Sequence, residues 1–188
     1  MSKSVPASLV EVDKDVTPEV ERRHVISALV KNVPGLLAQV ANLFAARGYN
    51  IESLTVGETE TARFSRMTIT VRGDEATIEA LKKGLTKFIN VVSVLDFTNI
   101  DHVERDLALV KITIPSGARQ EILELIQVFK GTVLDMSLKD VLVEVVGPEQ
   151  KLDTFLDIVR PYGIKEMART GRVAMARGAG MEGRELSV

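Results

Sequence analysis

An α+β protein of two βαββαβ units in tandem is the fold class the sequence predicts, on three observations. Some segments alternate apolar and polar residues with period two, and others repeat apolar residues at helical spacing. These segments follow one another as strand, helix, strand, strand, helix, strand. The whole order then recurs with a period of about 80 residues, too long for a solenoid repeat and right for a duplicated small domain.

The first strand is HVISALV from His24, β-branched and apolar, and it breaks at Lys31-Asn32-Val33-Pro34-Gly35. From Pro34 onward, Leu36, Leu37, Val40, Leu43 and Phe44 form one helical stripe, and Gly48 stops it. Asn50 to Val56 reads as a strand and Gly57 to Ala62 as a polar turn. Ser65 to Val71 is the second arm of a hairpin, with Met67, Ile69 and Val71 on one face and Arg66, Thr68 and Thr70 on the other. Asp74 can cap a second helix that carries Ile78, Leu81, Leu85 and Phe88, and Val91 to Phe97 closes the unit.

After a polar connector the pattern restarts. Leu107 to Ile114 is a strand, Ile122, Leu125, Ile126 and Phe129 lie on a helix, and Thr132 to Met136 and Val141 to Val146 are strands. Leu152, Phe155, Leu156 and Val159 mark the last helix, and Gly163 to Ala168 the last strand. The expected boundaries are a flexible extension over 1–22, a first domain over 23–98, a linker over 99–106, a second domain over 107–176 and a flexible tail over 177–188. Each unit is expected to be ferredoxin-like, with four antiparallel strands, both helices on one face and the other face open. An open face and bare edges in a unit of about 75 residues leave little buried area, so an oligomer is expected.

Composition limits the chemistry. Among 188 residues, 24 Lys and Arg face 26 Asp and Glu, a net charge of −2, and there is no cysteine. That excludes disulfides, a thiol nucleophile and thiolate zinc sites. The two histidines, His24 and His102, are far apart in sequence and are expected at a surface or interface, so no metal site and no catalytic residue is assigned. No apolar run approaches the roughly 20 residues of a membrane helix, and Met1 to Val20 lacks the apolar centre of an export signal, so a cytoplasmic location is expected. Gly171, Gly178, Gly180 and Gly183 do not form a phosphate cradle between strand and helix.

Two segments are candidates for binding. At Asn32-Val33-Pro34-Gly35-Leu36-Leu37 a helix begins, and the amides of Gly35, Leu36 and Leu37 can hold a carboxylate there. Asn32 offers an amide oxygen to an ammonium group and an N–H₂ to a carboxylate, the polarity of an α-amino acid. The second segment, Arg47-Gly48-Tyr49-Asn50-Ile51-Glu52-Ser53-Leu54, carries Asn50 at the mouth of a strand. The same residues also suit a plain helix start and a left-handed turn, and residue type alone leaves both readings open.

Taken together, Asn32-x-x-Gly35-x-Leu37, Arg47 to Leu54 and Ser65-Arg66-Met67-Thr68-Ile69 resemble the regulatory small subunit family of acetohydroxyacid synthase, also called acetolactate synthase. His102 to Lys111, Lys151-Leu152-Asp153 and Ala168-Arg169-Thr170-Gly171 resemble later blocks of that family, so the likeness runs from about His24 to Gly178. The resemblance implies an N-terminal ACT domain that binds a small amino acid, followed by an ACT-like domain. It implies a homodimer that docks on a separate catalytic (large) subunit. That subunit would hold thiamine diphosphate, Mg²⁺ and FAD and condense pyruvate, while this chain has no cofactor of its own. The small subunit would raise activity and confer inhibition by valine in branched-chain amino-acid biosynthesis. By resemblance the effector site lies between two chains, with Asn32, Gly35, Leu36 and Leu37 from one and Asn50 and Ile51 from the other.

Other classes share this topology. One is a free-standing amino-acid sensor. A second is an RNA-binding module, which needs aromatic rings on the middle strands and a basic face, whereas RMTITV (66–71) has none and the chain is only 4% aromatic. A small phosphatase would need a basic loop beside Asn32 and Asn50. No nucleic-acid or membrane partner is therefore expected.

Overall fold

The computed structural model describes residues 22–178. The extensions expected over 1–22 and 177–188 lie, apart from Arg22, Arg177 and Gly178, outside the described residues. The first unit runs β1 (Arg22–Lys31), α1 (Leu36–Ala46), β2 (Ile51–Glu58), β3 (Phe64–Gly73), α2 (Glu75–Leu85) and β4 (Val91–Asp96). Its sheet is antiparallel in the order β2-β3-β1-β4, which leaves β2 at one edge. Ile26, Ala28 and Val30 of β1 and Met67, Ile69 and Val71 of β3 meet α1 and α2 in one core. The alternation in β3 reads out as expected. On α1, Leu36, Val40 and Phe44 are buried, whereas Leu37 turns outward.

Asp74 caps α2, its side chain accepting from the Thr77 amide at 2.7 Å. Asp74→Ala should cost about 1 kcal/mol of stability in urea denaturation, because the first-turn amide loses its acceptor.

The second unit runs β5 (His102–Thr113), α3 (Arg119–Val128), β6 (Thr132–Met136), β7 (Asp140–Gly147), α4 (Glu149–Val159), a short 3₁₀ turn over 160–162, and β8 (Ile164–Arg169). Its sheet is ordered β6-β7-β5-β8 and encloses a separate core around Val110, Ile112, Val143, Leu152 and Phe155. A ninth strand, β9 (Val173–Ala176), pairs with the first residues of β5, His102↔Ala176 through Arg105↔Val173.

β9 changes two expectations. The segment read as a polar connector over 99–106 is strand from His102 onward, because its polar residues form one arm of a two-stranded ribbon. The face of the first sheet expected to stay open is also partly covered. The ribbon sets Ala174 against Val25 and Phe97, and Val25, Ser27, Leu29, Thr68 and Thr70 are all buried. In the second unit the outer face follows the expectation more closely, β5 alternating buried Ala108, Val110 and Ile112 with half-buried Leu107, Leu109 and Lys111. No helix among the described residues is long and apolar enough to cross a membrane.

Candidate functional site at the edge strand

The loop between β1 and α1 is held from both sides. The Asn32 backbone amide donates to the Arg63 carbonyl at 2.8 Å, and its side-chain N–H₂ donates to Glu58 Oε1 at 3.0 Å and to the Ala62 carbonyl at 3.2 Å. One side chain therefore ties the loop to the end of β2 and to the turn after it. Sequence alone does not single out Glu58. It lies 26 residues away on an exposed strand end, and nothing local marks it.

Gly35 caps α1 with φ +80°, a left-handed conformation that costs any L side chain strain. No side chain caps this helix end, its first turn carries no acid, and a Cβ on Gly35 would find no atom within 4 Å. The open space and first-turn amides that no side chain caps suit a small carboxylate. Leu36 is buried in the core and can offer only its backbone, while Leu37, 45% exposed, presents an aliphatic side chain beside the loop.

Asn50 and Ile51 lie elsewhere. Asn50 is exposed just before β2, and Ile51 packs partly onto the first core. Glu58 at the other end of β2 is the residue Asn32 holds, and the seven residue steps between Ile51 and Glu58 span roughly 23 Å at ~3.3 Å each. One chain thus brings Asn32, Gly35, Leu36 and Leu37 together and leaves Asn50 and Ile51 at the far end of the same edge strand.

A second group of residues surrounds a cleft of about 470 Å³ between the units. Arg23 of β1 bridges Glu52 of β2 and Glu149, the first residue of α4, at 2.6 Å to the latter. Burial disfavours the Arg23 charge, but the hydrogen bond to Glu52 and the fields of Glu149 and Glu52 outweigh it and raise its pKa. Arg172, buried between the units, pairs with Glu149 and with Glu104. Arg72 also donates to Glu52, at 3.2 Å. At the same place Asp106, buried in β5, accepts from Arg169 Nε at 2.5 Å. Sequence reading marked Asp106, Glu52 and Arg169 only as parts of motifs. Asp106 and Arg169 are 63 residues apart and Arg23 and Glu149 are 126 apart, separations that composition cannot pair.

The histidines have structural roles. His24, expected near a surface or interface, is buried, because β1 is a central strand packed on both faces. Its Nδ1 lies 2.7 Å from Thr98 Oγ1. His102 Nδ1 donates to the Ile100 carbonyl at 2.7 Å, and its ring stacks 5.0 Å from that of Phe97. Among the described residues no group of three or more His, Asp or Glu could hold a metal ion. On the sheet face where an RNA base would stack, Ser27, Thr68 and Thr70 are buried beside the ribbon.

Two family models match the chain. One, described as the small subunit of acetolactate synthase, matches residues 105–178; the other, the ACT domain of acetohydroxyacid synthase small subunits, matches 26–93. The acetolactate synthase small subunit of Aquifex aeolicus is 44% identical over 182 residues, covering 94% of this chain and 95% of that protein. A probable acetolactate synthase small subunit of Archaeoglobus fulgidus is 49% identical over 156 residues, covering 83% and 98%. Among solved structures, the acetolactate synthase small subunit of Thermotoga maritima superposes with a TM-score of 0.77 at 42% identity, covering 84% of this chain and 98% of that one.

Proposed function

This chain belongs to the family of acetolactate synthase small subunits, regulatory partners of a catalytic subunit, and from that premise we propose that two copies pair along β2 and bind valine at the seam. The observation that carries the reading is the division of the candidate residues between the two ends of one edge strand. Two β2 edges paired antiparallel about a two-fold axis bring Asn50 and Ile51 of one chain to Asn32 and Gly35 of the other. Edge strands with unpaired backbone groups favour such pairing.

In this arrangement the valine carboxylate sits on the amides of Gly35, Leu36 and Leu37. Its ammonium faces the Asn32 amide oxygen and the Glu58 carboxylate, and its side chain lies against Leu37. Asn50 and Ile51 of the partner close the seam. Such an aliphatic pocket separates ligands differing by one methylene by only about 1–3 kcal/mol, so leucine and isoleucine are weaker effectors rather than excluded ones.

The same chain activates the catalytic subunit, which carries thiamine diphosphate, Mg²⁺ and FAD, and valine reverses that activation by favouring one arrangement of the dimer. A ligand with equal affinity for two arrangements would shift nothing, and a site built from two chains is sensitive to how they meet. A coupling of about 1–3 kcal/mol, roughly 5- to 150-fold, is sufficient.

Calorimetry of the purified chain against the three branched-chain amino acids tests the reading, with sedimentation giving the oligomeric state. Asn50→Ala should weaken valine binding about tenfold, the loss of one cross-chain hydrogen bond of about 1.4 kcal/mol, and leave the dimer intact. A monomeric chain, or one that binds none of the three, would rule the reading out.

A further inference from the structure

We propose that the ion chain Glu52–Arg23–Glu149, together with the Thr170–Gly171 turn seated on β2, passes occupancy of the seam to the C-terminal unit. The proposal rests on the valine-site reading above and assigns the residues that carry its signal.

β2 is engaged on two sides. Its free edge is the proposed seam, while its sheet face meets the second unit. Gly171, between β8 and β9, has φ +84°, and a Cβ there would lie 3.2 Å from Ser53 Cβ and from Thr55 Oγ1. Thr55 Oγ1 also donates to the Thr170 carbonyl at 3.4 Å. Only glycine suits both that conformation and that closeness, so the turn is fitted to β2. The turn is anchored behind. The Thr170 hydroxyl lies 3.3 Å from Asp106 Oδ1 and accepts from the Leu107 amide at 3.2 Å.

The charged link begins beside the effector residues. The pairing of β2 with β3 shifts register between Ile51 and Ser53, so Glu52 is the extra residue of a bulge. A bulge re-aims a side chain and breaks the strand's regular alternation. Here it turns Glu52, next to Ile51 and two residues from Asn50, toward Arg23. Arg23 holds Glu149 at the N-terminal end of α4, where the helix dipole also favours an anion. Arg172 fixes the same carboxylate from the turn. A movement of β2 at the seam therefore displaces two parts of the C-terminal unit, the start of α4 through Arg23 and the turn before β9 through direct contact. Glu52, Arg23 and Glu149 are positioning residues, since none faces the ligand.

The test uses the full chain reconstituted with its catalytic subunit. Glu149→Gln breaks the ion pair that joins the units while leaving Arg23 with Glu52, and Arg23→Gln breaks both ion pairs. For each variant, valine affinity of the isolated small subunit should stay within about twofold, while the valine concentration for half-inhibition of the complex rises about fivefold or more. The double variant should be no worse than the worse single one, because the residues act as one unit. A role confined to stability would lower the melting temperature without separating binding from inhibition. If Arg23→Gln does not fold, Glu149→Gln decides alone. Valine that binds and inhibits the variants as it does the parent overturns the link and leaves the valine site standing; a double variant whose effects multiply overturns the link as a unit. A parent chain that takes up no valine removes both.

Discussion

Gly35→Asp should abolish valine binding, weakening it at least 100-fold in calorimetry, while the variant still folds and still activates the catalytic subunit. The new carboxylate would stand where the ligand carboxylate is proposed to sit. Two like charges about 4 Å apart near a protein surface repel by about 4 kcal/mol at an effective dielectric constant of about 20, and the ligand also loses charge-assisted amide hydrogen bonds worth about 1.5–3 kcal/mol each. A 100-fold loss needs only about 2.7 kcal/mol. The fold should survive because a Cβ at Gly35 meets no atom within 4 Å, which leaves only the strain of φ +80°, about 1–2 kcal/mol and less for Asp than for most residues. Gly35→Ala provides the control, having the strain without the charge, and should weaken valine far less. An Asp variant that binds valine within threefold of the parent would place the carboxylate elsewhere.

How legible the molecule was depends on whether a residue's environment is local. The β3 alternation of Met67, Ile69 and Val71 and the Asp74 cap follow from neighbours within one element, and both could be read directly. The β-branched run of β1 marks a strand, yet burial on both faces leaves no alternation to orient it, so His24 is buried where sequence predicts a surface or interface. β9 has only four residues, and its packing against Val25 and Phe97 of the other unit gives it no signature of its own. The site divides in the same way. Gly35 at a helix start is a local signal, whereas Glu58 as the partner of Asn32 and the Arg23–Glu149 bridge depend on tertiary placement.

The largest stability effect is expected at Phe155, whose replacement by alanine should remove roughly 3–5 kcal/mol. Its side chain is fully buried on α4, with its ring 5.4 Å from that of Phe129. Domains of this size have total stabilities of about 5–15 kcal/mol, so the loss should bring the C-terminal unit close to unfolding at physiological temperature. The first core, around Ile26, Phe44 and Leu81, shares no buried residue with the second, and the contacts joining the units include the small cluster at Phe97, the Thr170–Gly171 turn on β2 and the ion pairs around Glu149. Hydrogen exchange on Phe155→Ala should therefore accelerate across 102–169 while 22–96 keeps most of its protection, and valine binding should persist. Phe155→Leu, which leaves a smaller void, should cost less than half as much. Equal acceleration in both units would mean that the link between them exceeds the stability of either core. Regulation requires only a coupling of about 1–3 kcal/mol, which is smaller than the cost of this one cavity, so the two units can signal to each other and still unfold separately.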